Sequence, residues 1–222
     1  QLPAFAGGAD EAVAGATGLD SCALLQDANC IGAQSKAQRD FELYWRDRDR
    51  TSQEFLADLD RKLCPTCKLF GSPYMASHIY FADLLPPAGD ELAASMIQVR
   101  DGVAIDRDSE RAVPRLKYDY EVVATAQTFV VNIALENPSD CDLALACLGL
   151  SEFVSGQARL GGKRSRGLGA CKLEEVKVYS LDLAAGTPEQ RAATLKRYLL
   201  GTKLEDKYRV EADATRFMQD KI

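Results

Sequence analysis

The spacing of apolar residues predicts three helices in this chain. Phe55, Leu59 and Leu63 recur every fourth residue behind a capping-box pattern of Thr51 and Glu54, so we expect a helix from about 52 to 63. A second helix is predicted between Ser139 and Gly156, and a third after Thr187 and Pro188. Their apolar positions are Leu143, Cys147, Leu150 and Val154 in the second helix and Leu195, Tyr198 and Leu199 in the third. The charged tail from 203 is also predicted to be helical.

Alternating or β-branched runs predict strands between these helices. HIYFADLL (78–85) and SMIQVRDG (95–102) alternate apolar with polar or small residues, and the second run is expected to end at its Asp-Gly pair. YEVVATAQTFVVNIAL (120–135) predicts one long strand, and LGACKLEEVKVYSL (168–181) predicts a returning strand. Residues 103–118 are highly charged and contain a proline, which suits a protruding loop or an exposed hairpin.

The order of these elements predicts an α+β fold with an antiparallel sheet, ferredoxin-like or RNA-recognition-like (RRM-like), and helices on one face. The chain has 222 residues, which suits one domain with elaborations or two small domains, and we start from one domain. No uncharged apolar run is long enough to cross a bilayer, so we expect a cytoplasmic protein without membrane contact. The N-terminal segment lacks the pattern of a secretory signal and begins with Gln1, so further residues are expected upstream.

The segment GGKRSRGLG (161–169) concentrates positive charge in a chain whose net charge is -6. A P-loop is excluded because Lys163 is followed by Arg164 instead of Ser or Thr, and the glycine needed five positions before Gly162 is Gln157. The glycines would let a ligand approach backbone amides closely, and no acid lies between 152 and 174. The nearby cations are Arg159, Lys163, Arg164, Arg166 and Lys172. Composition leaves two alternatives, a phosphate-backbone site or a solvated turn with incidental charges.

The chain has seven cysteines, and four of them lie in its first third. Cys64 and Cys67 are spaced like a redox-active pair or like half of a metal site. A preceding helix and following turn residues argue against a thioredoxin-like pair. With Cys22 and Cys30 there are four thiolates, enough for a closed structural zinc site. His78 could replace one cysteine, although a surface histidine fits its place at the start of a strand better. The remaining cysteines, interpreted as core residues, are Cys141, Cys147 and Cys171.

Four motifs occur in a fixed order: CPTCKLFGSP, ASHIYFADLL, VRDGVAIDRDSERA and GGKRSRGLGACKLEEV. In order and approximate spacing they resemble the RAMP superfamily, specifically the backbone subunits of type III CRISPR effector complexes. The glycine-rich segment looks like the G-rich loop of that superfamily. The resemblance covers about residues 64–180.

This resemblance implies a modified ferredoxin-like domain whose copies stack along a guide RNA, with a thumb-like hairpin at 101–118. The implied partners are guide (crRNA) and target RNA and other RAMP subunits or domains. The expected RNA contacts are Gly161, Gly162, Lys163, Arg164, Ser165, Arg166 and Gly167 in the loop and Arg107, Arg111 and Arg115 in the thumb-like segment. We expect three regions: a flexible and helical insertion with part of the zinc site (1–63), the RNA-binding core (64–200) and a charged tail (201–222).

The resemblance does not supply a catalytic residue. Members of the family usually carry a strand, a loop with the aspartate that cuts target RNA and a Gly-Ser-Ser-type turn before the cysteine segment, and residues 1–63 contain no such turn. We therefore expect the N-terminal part of the domain to be missing. A competing interpretation is a metal-dependent endoribonuclease that uses Mg²⁺ in the assembled complex and an acid such as Asp10, Asp20 or Asp106. A third, a zinc-stabilised subunit that contacts only protein, is disfavoured by the basic loop.

Overall fold

The computed structural model describes residues 21–22, 30, 39, 52–87 and 96–222. The chain divides into two compact units, one formed by residues 1–78 and 136–222 and the other by residues 79–135. Thr51, and with it the capping box expected before the first helix, lies outside the described residues. No helix in the described part of the chain is long and apolar enough to span a membrane.

The described helices of the larger unit follow the predicted pattern closely. In chain order they are α1 (Ser52–Lys62), α2 (Pro65–Leu69), α3 (Asp140–Val154), α4 (Pro188–Leu200), α5 (Leu204–Lys207) and α6 (Ala214–Lys221). The predicted helices at 52, 139 and 187 are thus confirmed, and the tail is helical in two short pieces. Helix α2 was not predicted, because CPTCKL was interpreted as a turn. Pro65 occupies its first turn, where a missing N–H costs nothing.

Helix α3 begins where its sequence predicts. The hydroxyl of Ser139 accepts a hydrogen bond from the Asp142 amide, and the Asp142 carboxylate accepts one from the Ser139 amide. This reciprocal pair satisfies two amides that the helix itself cannot satisfy. The helix ends before Gly156, whose φ of +74° places it in the left-handed region that favours glycine. Cys147 is buried, as predicted, whereas Cys141 and Cys171 are only half-buried.

The smaller unit, which spans residues 79–135, is built from two antiparallel strand pairs. Strand β1 (Ile79–Phe81) pairs with β4 (Ile133–Leu135), and β2 (Ile97–Ile105) pairs with β3 (Ala112–Val123) as a long hairpin. The hairpin confirms the exposed hairpin predicted for 103–118. However, β2 runs through Gly102 and does not stop there, because Gly102 lies directly opposite Tyr118 and continues the ladder.

Two strand predictions need correction. The run 120–135 forms two strands, since the Ala124 amide closes the hairpin by donating to Met96 O at 2.7 Å and the chain then turns at Ala126, whose φ is +63°. Strand β4 can therefore return to β1. The predicted strand 168–181 shrinks to β5 (Tyr179–Ser180), because its partner β6 (Arg209–Val210) is only two residues long.

The described strands thus form three two-stranded antiparallel sheets, and the described part of the chain also contains helices. This is a mixed α/β architecture of the predicted class. The single ferredoxin-like sheet with helices on one face remains a prediction.

Candidate functional site

The four cysteines singled out from the sequence converge. The sulfur atoms of Cys22, Cys30, Cys64 and Cys67 all lie within 4.8 Å of one another, and the Cys22 and Cys67 sulfurs are 3.6 Å apart. Zinc–sulfur bonds of about 2.3 Å place the ligands of a tetrahedral site about 3.8 Å apart. The cluster therefore has the size and the donor set to hold a metal ion, and it is compatible with structural zinc.

Helix α2 explains why two of these sulfurs share one side. Cys64 is the N-cap in extended conformation, and Cys67 lies three residues further, one helical turn along the same face. The expectation of turn residues after Cys64 was therefore wrong, whereas the other reason given against a thioredoxin-like pair, a helix before Cys64, is confirmed by α1. The convergence of four sulfurs also argues against an isolated pair, since the Cys67 sulfur lies 3.6 Å from the Cys22 sulfur as well as near that of Cys64.

Backbone amides and an apolar layer support the cluster. The Cys22 amide donates to the Cys64 sulfur at 3.5 Å, and the Cys64 amide donates to the Cys30 sulfur at 3.3 Å. Amide donors of this kind stabilise thiolate charge around a metal. Behind them, Phe55, Leu59 and Leu63 of the α1 segment form a buried cluster with Cys67. Apolar packing of α1 therefore helps to hold in place the segment directly after it, which carries Cys64 and Cys67.

The cysteines do not titrate alike. Hydrogen bonding from the Cys30 thiol is the largest cause that lowers the pKa of Cys64, to about 4, whereas burial is the largest cause that raises the pKa of Cys67, to about 12. The Cys30 pKa is also raised, first because its thiol donates to Cys64 and then by burial. Several thiols so close together cannot all lose their protons unless a cation balances the negative charge. Metal binding would therefore release protons.

His78 does not belong to the cysteine cluster. Its Nδ1 lies 3.1 Å from Oδ2 of Asp142, which also accepts hydrogen bonds from the Ser139 amide at 2.9 Å and the Ser139 hydroxyl at 2.8 Å. The imidazole is only partly exposed, and the carboxylate is buried. Sequence reasoning missed this pairing, although the capping pattern at Ser139 already marked Asp142 as a helix N3 residue.

The glycine-rich segment is a closed loop with a narrow neck. The Leu160 amide donates to Gly169 O at 2.8 Å, and Arg159 and Ala170 form an isolated bridge next to it. A Cβ at Gly169 would collide with Leu160 O, so this position requires glycine for the close approach of the two backbones. The larger unit therefore presents residues 161–167 as a protruding turn.

Within this turn Arg164, Ser165 and Arg166 form a short 3₁₀ helix. Lys163 and Gly167 flank it with φ values of +55° and +84°. The Gly167 amide donates to Arg164 O at 3.2 Å and so closes the turn, and RNA contact by this residue stays a prediction. The exposed members of the predicted set are Gly161, Gly162, Arg164, Ser165, Arg166 and Gly167, whereas Lys163 is half-buried. Nearby, Lys172 is paired with Glu174 at 3.1 Å.

The three arginines of the thumb-like segment lie in the smaller unit and are exposed. Arg107 and Arg111 belong to the tip of the β2–β3 hairpin, and Arg115 lies in an irregular part of β3 with a φ of +66°. Asp106 shapes this tip, because its Oδ1 accepts hydrogen bonds from the Asp108 and Ser109 amides at 2.8 and 3.1 Å. These bonds, led by the one from Ser109, lower the pKa of Asp106. Asp10 and Asp20 lie outside the described residues.

A family model described as the RAMP superfamily matches residues 27–172 of this chain. The match begins well upstream of residue 64, so it includes helix α1, the cysteines from 30 onward and the whole glycine-rich loop. A search of curated proteins found no match.

Proposed function

Since the chain belongs to the RAMP superfamily, we propose that it binds CRISPR guide RNA as a backbone segment of a type III effector complex that targets RNA. Membership alone associates the chain with CRISPR-related RNA binding. The observation that carries the more specific proposal is the basic glycine-rich loop, in the position that the resemblance requires. Its partners would be guide and target RNA and further RAMP subunits or domains.

The loop is suited to a phosphate backbone. Arg164, Ser165 and Arg166 are exposed on a turn whose neck is fixed by backbone bonds, so their positions are restricted before RNA arrives. No acid occurs in the sequence between 152 and 174, so this segment of the chain is positively charged. In an acidic protein, such a patch creates a local positive electrostatic potential that attracts the phosphates of RNA. In this proposal Arg107, Arg111 and Arg115 of the hairpin contact the guide–target duplex.

Sequence specificity would come from base pairing between guide and target, so the protein needs to recognise only phosphate, sugar and shape. The ferredoxin-like sheet that the resemblance implies belongs to the same proposal. So does zinc as the metal of the cysteine cluster: four thiolates leave no open coordination position, so the ion would be structural. It would hold residues upstream of α1 against the CPTC segment.

A scaffold role is favoured over an endonuclease role by Asp106. Its carboxylate oxygen already accepts two backbone hydrogen bonds in the hairpin tip, which is the behaviour of a turn residue. Among the described residues, the metal-ligand group is the cysteine cluster, and no acidic cluster suited to Mg²⁺ accompanies it.

Replacing Lys163, Arg164 and Arg166 together with alanine tests the proposal. Guide RNA binding should weaken to a similar extent for unrelated spacer sequences, because phosphate contacts carry no base information. The slope of log affinity against log salt should fall by about 0.7 for each phosphate of single-stranded RNA that the variant no longer neutralises. Titrations of labelled RNA at several salt concentrations provide both quantities.

The matched control is alanine replacement of Arg191, Lys196 and Arg197 on helix α4, which removes the same charge from an exposed surface in the same unit. We expect this control to change the salt slope far less. Equal slopes and affinities for the loop variant and the unmodified protein would refute the proposal and make the loop a solvated turn.

A further inference from the structure

The sulfurs of the cysteine cluster come from two segments of the chain. Cys22 and Cys30 lie upstream of helix α1, whereas Cys64 and Cys67 follow it. The Cys67 sulfur lies 3.6 Å from the Cys22 sulfur. The Cys64 sulfur accepts hydrogen bonds from the Cys22 amide at 3.5 Å and from the Cys30 thiol. Each sulfur of the CPTC segment therefore contacts an upstream cysteine.

The contact between Cys22 and Cys67 is close to the geometry of a disulfide. A disulfide bond is about 2.0 Å long, so the two sulfurs need to approach by about 1.6 Å. The hydrogen bond from the Cys22 amide to the Cys64 sulfur holds residue 22 beside the CPTC segment, and this bond does not require a metal. The pair is therefore placed to form a bond when an oxidant removes two electrons from it.

Access for an oxidant differs between these two cysteines. Cys22 is half-buried, whereas Cys67 is buried in the apolar cluster that includes Phe55 and Leu59. A small peroxide therefore reaches the Cys22 sulfur first and converts it to a sulfenic acid. A sulfenic acid condenses with a neighbouring thiol to give a disulfide, and Cys67 supplies that thiol.

A disulfide within the cluster is incompatible with the metal. Zinc binds deprotonated thiolates, and a disulfide sulfur carries no negative charge to donate. With two of its ligands consumed, the ion would leave, while a bond between Cys22 and Cys67 would still join the upstream segment to the CPTC segment. A disulfide between Cys64 and Cys67 would also release the metal, but it would leave the upstream segment unattached. The pairing therefore decides what oxidation does to this part of the chain.

We propose that Cys22 and Cys67 are a site of oxidation by peroxides, at which a disulfide replaces the metal as the link between the two segments. This inference rests on the zinc site of the proposed function and adds its regulation by oxidation. Hydrogen peroxide transfers one oxygen atom to the Cys22 thiol as its O–O bond breaks, and the first water leaves. The Cys67 sulfur then attacks the sulfenic acid at sulfur, the S–O bond breaks, and the second water leaves. The two thiols lose two electrons and two protons to the peroxide; from zinc-bound thiolates, the protons come from solvent.

Peptide mapping of the complete, unmodified chain identifies the pairing. Trypsin releases residues 1–36, which carry both upstream cysteines, and residues 63–68, which carry both cysteines of the CPTC segment. After treatment of the zinc-loaded chain with hydrogen peroxide and alkylation of the remaining thiols, mass spectrometry should find these two peptides joined. Fragmentation should place the bond between Cys22 and Cys67. A chromogenic chelator should record the release of the bound zinc in step with bond formation, and dithiothreitol followed by zinc should restore the starting form.

Zinc content measured before the peroxide is added separates this proposal from the zinc assignment. A bond at any other pair, such as Cys64 with Cys67, or oxidation that stops at sulfinic acid, would overturn the proposal and leave the zinc assignment intact. A chain that contains no zinc yet forms the bond between Cys22 and Cys67 would support the disulfide and refute the zinc assignment. Cys171→Ser, at a half-buried cysteine outside the cluster, is the matched control and should give the same bond as the unmodified chain.

Discussion

Gly169 determines how closely the two sides of the glycine-rich loop can approach. It has a φ of +80°, and its backbone lies against Leu160 at the neck of the loop. By contrast, Gly162, at the other end of the same motif, has open space around it and no positive φ. Glycine is therefore structurally required at 169 but not at 162, and alanine substitution at each position tests this difference.

Gly169→Ala should destabilise the larger unit by about 1–3 kcal/mol, because alanine is strained at positive φ and its methyl group collides with the Leu160 carbonyl. Gly162→Ala should change the free energy of unfolding by less than about 0.5 kcal/mol. Urea denaturation of both variants measures the difference. Equal stabilities would mean that the neck is not held as tightly as its hydrogen bonds indicate.

Asp142 links helix α3 to His78 and makes the stability of this region depend on pH. Burial by itself raises the pKa of Asp142, but hydrogen bonds from the Ser139 amide, His78 and the Ser139 hydroxyl outweigh it and hold the pKa below its ordinary value. A carboxyl whose folded pKa is depressed stabilises the protein above its unfolded pKa of about 3.9. That contribution is lost as the pH falls through the folded pKa.

Asp142→Asn should therefore lower the free energy of unfolding at pH 7, by about 1–3 kcal/mol, and should make stability less sensitive to pH below about 4. Asp140→Asn, an exposed position in the same helical turn, is the control. Thermal unfolding from pH 3 to pH 7 tests this. An acid limb unchanged in Asp142→Asn would show that other carboxylates cause the loss of stability in acid.

Among the elements, helix α1 links hydrophobic packing to the cysteine cluster. Leu59 is fully buried and Phe55 and Leu63 nearly so, and all three pack with Cys67. Leu56 lies in the same helix but is 54% exposed. Only one face of α1 therefore contributes to the layer behind the metal ligands.

Leu59→Ala should cost about 2–5 kcal/mol, because it removes buried methyl groups and leaves a cavity next to Cys67. The same substitution at Leu56 should cost less than about 1 kcal/mol. Metal retention during dialysis against a chelator, measured alongside unfolding, tests whether packing supports the ligands. If Leu59→Ala unfolds earlier but loses metal no faster than Leu56→Ala, the apolar layer stabilises α1 without supporting the site.

At the scale of the whole molecule, the cysteine cluster belongs to one of the two units. Its ligands come from residues 22 to 67, all in the larger unit, whereas the β2–β3 hairpin lies entirely in the smaller one. If the metal is structural, its removal should destabilise the residues around the cysteine cluster more than the β2–β3 hairpin.

Freshly purified protein should contain one zinc per chain, and replacing Cys64 and Cys67 with serine should abolish it. Hydrogen exchange should then rise in 52–69, while the amides of the β2–β3 ladder keep their protection. Replacing Cys141 and Cys171, which lie outside the cluster, with serine provides the control. Full zinc occupancy in the Cys64/Cys67 variant, or no metal in the unmodified protein, would contradict this assignment.

The sequence by itself determined the features that depend on neighbouring residues. Helix starts at Ser139 and Thr187 were readable because a capping residue and its partner lie within one turn. The four metal-ligand candidates were readable because few residue types bind zinc and these cysteines fall into two groups. The glycine-rich loop and the family resemblance could be predicted because the order of the motifs is visible in the sequence, without knowledge of any tertiary contact.

Only the tertiary structure decided features that need a distant partner. The run 120–135 looks like one strand, yet Val123 and Ile133 belong to different strand pairs, because pairing energy depends on which strands are within reach. Likewise, nothing local to His78 points to Asp142, and nothing local to Gly102 points to Tyr118. These contacts join residues far apart in sequence, so their free energy appears only once the chain has brought them together, and a one-dimensional pattern does not contain it.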